Sequence, residues 1–205
     1  VDTNIPPTYT SSIAQAIQIP GIAGMENNLV IFEYNKYVGD NVSFIIDNFA
    51  LFIAGNFDVI ILASDHREID NKGGIHLWIK STDTENANLM ILLSFIILGH
   101  PDWKMGDIKI FDLCKPGDEE QTKENLNKLV VEGRLPITYK NINVLVSEPN
   151  VSSKVLINKY SADAGLTMIG FREEKIKHEK EKVFEGYDQL GTIIFINSHD
   201  QKSID

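Results

Sequence analysis

The chain has 205 residues, a formal net charge of -10 at pH 7, 43% hydrophobic residues and one cysteine, Cys114. The acidic balance excludes a surface built for nucleic acid or anionic lipid, since both need clustered Lys and Arg to displace counterions. The lone cysteine excludes an internal disulfide and any cysteine-cluster metal site, so a reducing compartment is expected.

The opening VDTNIPP has no initiator Met and no basic-apolar signal segment, and it reads as the start of a soluble piece cut from something longer. SSIAQAI (11–17) is expected to form a short helix, and PGIAGMENN (20–28) a loop by its Pro, Gly and Asn content. From LVIFEY (29–34) onward the pattern is regular. Further β-rich runs fall at 59–63, 75–79, 108–113, 142–146, 166–170 and 192–196, alternating with helical stretches at 41–54, 84–98, 119–132, 151–160 and 173–189. Only the step through SDHREIDNKGG lacks a helix, so VIILA and IHLWI are expected to be antiparallel neighbours across a long turn.

Strands that are continuously apolar are buried on both faces, as in a parallel sheet flanked by helices. The expected fold is α/β, a mainly parallel, doubly wound open sheet with helices on both faces. Residues 1–28 read as a lead-in helix and loop from a preceding subdomain, and 29–205 as the α/β domain. In helix 119–132, Leu126, Leu129 and Val130 share one face with charge opposite, as an outer helix requires. The charge-dense 172–190 stretch, anchored by Ile176, Val183 and Phe184, reads as a solvated face.

LMILLSFIIL (89–98) contains a single polar residue, Ser94. It is too short for a bilayer, whose hydrocarbon core needs about 20 apolar residues. Thr82 and Glu85 have capping-box spacing upstream, and Gly99 and Pro101 stop the helix downstream. A helix apolar nearly all round must be covered on more than one side, by its own sheet and by a second layer or subunit.

A search for chemistry returns little. No GxGxxG or GxxxxGK[ST] follows any strand, so the dinucleotide and nucleoside-triphosphate fingerprints are missing. Gly73 and Gly74 suit a tight turn, and GFREE after 166–170 does not continue into the spaced glycines of nucleotide-binding universal-stress-type proteins. His66, His76, His100, His178 and His199 show no metal-ligand spacing. SDHRE (64–68) places an acid, a base and a cation on one loop after a strand, yet such groups must converge on a substrate to act. No elbow surrounds any serine, and only Lys115 lies near Cys114 to lower its pKa. No catalytic, cofactor-binding or metal-binding residue is assigned, and no cofactor is expected.

The order of segments is more specific. IAQAIQIPGIAGMENNLVIFEYNK resembles the regulatory carboxyl-terminal domain of cation-chloride cotransporters, through Gln15 and Ala16, Gly21, Gly24 and Met25, Asn27 and Asn28, and the strand Leu29 to Tyr34. Glu33 and Tyr34 replace the family's final Gly-aromatic pair. VSFIIDNFALF, DVIILAS and the stretch carrying Trp78, Asp83, Trp103, Lys109 and Ile110 follow in the family's order, as do SADAGLTMIGF and LGTIIFINSHDQKSI. The family's long acidic insertion is reduced to DHREIDNK, as in compact prokaryotic relatives.

The resemblance implies the second of two universal-stress-like halves of a non-enzymatic domain on the cytoplasmic side of the cell membrane. Its implied partners are a second copy, in a homodimer, and the transmembrane domain of the same transporter, with no direct membrane insertion of its own. Helix 84–98 and the final strand with its tail are the candidate pairing faces. The alternative is a nucleotide-sensing universal-stress-like module.

Overall fold

The computed structural model describes residues 7–19, 27–38, 40–132 and 137–200. The strands are β1 (Leu29–Asn35), β2 (Asp58–Ser64), β3 (Ile75–Trp78), β4 (Ile108–Cys114), β5 (Ile142–Val146), β6 (Leu166–Gly170) and β7 (Ile193–Asn197). The helices are α1 (Tyr9–Ala16), α2 (Asp40–Asp47), α3 (Phe49–Ala54), α4 (Thr84–Leu98), α5 (Glu119–Glu132), α6 (Ser153–Ser161) and α7 (Glu173–Glu179).

All seven strands form one sheet in the order β1-β2-β7-β6-β3-β4-β5. From β7 to β5 every pairing is parallel, and β1 is parallel to β2, but β2 meets β7 antiparallel. The doubly wound plan therefore holds, with one reversed seam. β2 and β3 do run in opposite directions, as the helix-free step suggested, but they are not neighbours, because β7 and β6 lie between them. Three strand spacings amount to roughly 14 Å, which the connection after Ser64 spans easily. The turn sequence fixes the reversal and leaves the neighbour to be chosen by tertiary packing. β7 is bonded along both edges, so this final strand has no free edge for pairing with a second copy.

Two apolar layers sandwich the sheet. On one face, α2, α3, α6 and α7 supply Val42, Ile45, Phe49, Phe52, Leu156 and Ile176 against Val59, Ile61, Trp78 and Phe195. On the other, α4 and α5 supply Ala87, Met90, Ile91, Leu126 and Val130 against Ile75, Leu77, Ile110 and Met168. The α5 face read from sequence is buried as expected.

Three elements differ from their sequence patterns. The 41–54 stretch is broken at Asn48, whose side chain donates 2.7 Å to Phe44 O. The 173–189 stretch is helical only to Glu179, because Lys180 takes φ 49° and a 3-10 turn (Lys180–Val183) follows. Its anchors Ile176, Val183 and Phe184 are buried nonetheless. The cap of α4 is Asp83, whose carboxylate accepts from Asn86 N at 3.3 Å, not Thr82; Glu85 turns elsewhere. Gly99 ends α4 as expected, and Ser94 donates to Ile91 O at 2.7 Å. The loop expected over 20–28 lies largely outside the described residues, as do Gly21, Gly24 and Met25.

At the amino ends of β3 and β6, backbones abut. Gly74 has φ 71°, and a Cβ on Gly165 would stand 2.2 Å from Asp70 O, so the glycine preceding β6 is required for contact rather than for phosphate.

Candidate functional site

The sheet's switch point, between β3, whose crossover runs to β4, and β6, whose crossover runs the other way to β7, is the place at which open α/β sheets bind ligands. A cavity of about 250 Å³ lies there, at the carboxyl ends of β3, β4 and β6. Trp78, Phe171 and Tyr187 give it aromatic walls, while Lys80, Asp83, Asp112, Arg172 and Lys175 bring charge.

Most of that charge is engaged within the protein. Arg172, two residues beyond β6, donates from Nε to Asp83 Oδ2 at 3.0 Å, from Nη2 to Asp83 Oδ1, and from Nη2 to Glu85 Oε2 at 2.5 Å. Burial would lower the guanidinium pKa, but the two carboxylates outweigh it and raise it. The Glu85 carboxyl is lowered by a backbone hydrogen bond and by Arg172.

Asn86 is buried and donates to Asp83 Oδ2 and Phe171 O, both at 2.9 Å, while accepting from Ser198 N at 2.6 Å. Ser198 Oγ donates to Asp58 Oδ1 at 3.0 Å, and His199 N donates to the same oxygen at 2.8 Å. The network therefore runs from the cavity to the first residue of β2. Asp112 accepts from Ser81 N at 2.8 Å and Leu113 N at 2.7 Å, and burial pushes its carboxyl up despite those bonds.

The arrangement pairs and fastens. A phosphate cradle needs free backbone N–H groups after a strand, whereas Phe171 N donates to Ile196 O at 2.9 Å.

SDHRE forms a second polar cluster. Asp65 receives Lys36 Nζ at 3.1 Å, Tyr37 OH at 3.1 Å, Arg67 Nη2 at 3.0 Å and Arg67 N at 3.0 Å. Lys36 also donates to Leu190 O at 2.7 Å, and Arg67 donates to the same carbonyl. Burial pushes the Asp65 carboxyl up, but Arg67, Lys36 and Tyr37 together hold it well below the carboxylate range. Ser64 Oγ donates to Tyr34 O, and His66 is exposed with Nδ1 3.3 Å from Asp65. The loop is a clamp on the chain before β7.

His76, on β3, is fully buried; its Nδ1 lies 2.9 Å from Ser161 Oγ, which also accepts from Trp78 Nε1 at 2.9 Å. Among the described residues its Nε2 has no partner, and burial, aided by Lys109, pushes the imidazole down to about 4. Cys114 is buried at the end of β4, and burial raises its thiol pKa. Among the described residues, no group of three His, Cys, Asp or Glu is placed to hold a metal, and no helix is long and apolar enough to cross a membrane.

Arg172 was within reach of sequence reasoning, because it follows a strand's carboxyl end. Lys36 and Ser198 also follow strand ends, but their partners, like those of Asn86 in α4, come from distant elements and were not legible.

No family model and no curated protein matches the sequence. Solved structures do match in three dimensions. The cytoplasmic domain of a prokaryotic cation chloride cotransporter superposes with a TM-score of 0.67 at 13% identity, over 95% of this chain and 71% of that one. The chain has that domain's fold. A universal stress protein from Archaeoglobus fulgidus DSM 4304 follows, with a TM-score of 0.51 at 10% identity over 84% of this chain and 62% of that one. The resemblance read from the order of segments is thus found again in the architecture, and both neighbours share the universal-stress-like plan.

Proposed function

We propose that the chain is a non-catalytic regulatory domain of a cation-chloride cotransporter, on the cytoplasmic side of the membrane, that pairs with a second copy and acts on the transporter's membrane part. The observation that carries this reading is the agreement of fold with a cotransporter's cytoplasmic domain along 95% of the chain, reached independently of the segment order in the sequence. Internal pairing of the charges around the switch-point cavity supports a scaffold more than a reaction site. Residues 1–28 are read as the lead-in from a preceding subdomain.

Of the two pairing faces expected from sequence, α4 is the one with apolar surface to spare: Ile96 is 63% exposed. A specific homodimer buries on the order of 1,200 Å² or more. Sedimentation equilibrium over a hundredfold concentration range is expected to give a dimer mass, and Ile96→Glu is expected to shift it toward monomer. A monomer at every concentration overturns the pairing role.

A further inference from the structure

A cavity of about 260 Å³ lies at the carboxyl end of β1, bounded by residues that follow that strand, by Val42 of α2 and by the 181–188 stretch before β7. Tyr34, Phe184 and Tyr187 wall it, each 6% exposed, and burial raises both tyrosine pKa values, so the walls stay neutral. Glu181, Glu185 and Asp188 bring carboxylates to it, and none of the three is in an ion pair among the described residues. Lys36 is the one cation in the lining, and its ammonium is already surrounded. It donates to Asp65 Oδ2 at 3.1 Å and to the carbonyl oxygens of Tyr187, Leu190 and Gly191 at 3.3, 2.7 and 3.2 Å. The switch-point cavity is different, because its Arg172 is matched by Asp83 and Glu85. Beside the β1 cavity, in the turn closed by Val38 N donating to Asn35 O, Tyr37 and Val38 are 57% and 60% exposed.

We propose that this cavity is a docking site for a basic peptide segment of a partner protein, with one Arg or Lys side chain entering between the aromatic walls and an apolar neighbour laid on Tyr37 and Val38. A guanidinium or ammonium is attracted to aromatic rings, more strongly as it is desolvated, and its aliphatic stem packs on apolar walls. The three unmatched carboxylates complement its charge. They would repel an anion, and a neutral guest would leave them uncompensated. A free amine would fill the cavity but leave Tyr37 and Val38 bare, so the exposed pair favours a polypeptide. The inference rests on charge, burial and exposure, not on the transport reading.

The probe is the acetylated, amidated peptide Ala-Leu-Arg-Leu-Ala, titrated into the intact protein and followed by amide NMR shifts. Shifts are expected at residues 34–38 and 184–188. The same peptide with citrulline, an uncharged isostere of arginine, is expected to bind about tenfold more weakly, the combined worth of a cation over aromatic rings and exposed ion pairs. Glu185→Gln with Asp188→Asn, both at exposed positions, is expected to weaken the arginine peptide by a similar factor while the spectrum of the free protein keeps its dispersion. Arginine amide alone is expected to bind more weakly than the peptide, since it cannot reach Tyr37 and Val38. Absence of shifts at millimolar peptide, equal binding of the citrulline peptide, or undiminished binding by the double variant overturns the proposal. Arginine amide binding as tightly as the peptide overturns it too, and would make the cavity a site for a small free cation.

Discussion

The two ends of the β2–β7 seam are both held by polar clusters, but by opposite designs. At the carboxyl end of β2 a single carboxylate, Asp65, sits at the centre with its side chain 0% exposed and cations around it. At the amino end of β2 the buried Asp58 accepts from Ser198 Oγ and His199 N, and beside it, shared with the switch point, is a cation, Arg172, with its side chain 38% exposed and carboxylates around it. A buried hub is expensive to disrupt, because its removal leaves desolvated partners unpaired. A half-exposed hub is replaceable, since water takes over much of what it did. The Asp65 cluster therefore fastens its end of the seam firmly, while the Arg172 cluster is the adjustable part of an end that Asp58 also holds.

The largest effect is expected from the buried hub. Asp65→Ala leaves Lys36, whose side chain is 10% exposed, and Arg67 facing each other without their shared acceptor. A loss of about 3 kcal/mol in urea unfolding is expected, the lower end for breaking a buried pair, because Lys36 keeps Leu190 O. Lys36→Met in the same background is expected to restore part of it, by removing the stranded charge. The acid signature has a definite sign: Asp65 is depressed in the fold, so its contribution is complete above an unfolded pKa of about 3.9 and fades as pH falls below that.

His76 gives the next effect and separates the seam from the parallel block. Its folded value of about 4 lies below the ordinary 6.5, so between those values the unfolded chain binds more protons. Stability then falls as pH falls from 6.5 to 4, by about 3 kcal/mol in all. Ser161 Oγ accepts from Trp78 and lies beside Nδ1, while Nε2 has no partner among the described residues. Burial and Lys109 therefore outweigh the groups that favour the imidazolium, Asp163, Asp107 and a backbone bond at Tyr160. Unfolding midpoints measured from pH 7.5 to 4.5 are expected to decline in the wild type and to flatten in His76→Gln, with Asp65→Ala declining in parallel with the wild type until pH nears 4.

These sites show where local sequence stops informing. Seven strands and their alternation with helices were legible because continuous apolar runs have few other uses, and the α5 stripe of Leu126, Leu129 and Val130 is periodic. The reversed seam was half legible: SDHREIDNKGG signals a helix-free reversal, but the placement of β7 and β6 between β2 and β3 depends on side chains more than a hundred residues away. The cap of α4 was misread by one residue, since Asp83 and Thr82 are both good caps and only Arg172 and Asn86, from the folded state, favour the aspartate. The clamp in SDHRE was visible as a cluster of charges, but its role was not, because Lys36 and Leu190 O arrive from other elements.

Arg172 is expected to give the smallest effect and the sharpest contrast. Arg172→Ala removes two ion pairs and one bond to Ser198 O, yet Asp83 still caps α4 and Asn86 still bridges Asp83, Phe171 and Ser198. A loss of about 1 kcal/mol is expected, in keeping with a partly exposed pair. Arg172→Lys is expected to recover little of it, because a single ammonium cannot present the guanidinium fork to Asp83 and Glu85 together. Salt distinguishes the two ends: at 1 M NaCl the Debye length is about 3 Å, so the cost of Arg172→Ala is expected to shrink toward zero. The cost of Asp65→Ala should persist, because its hub is closed to solvent ions. If both costs shrink together, the Asp65 and Arg172 clusters are equally exposed to solvent ions.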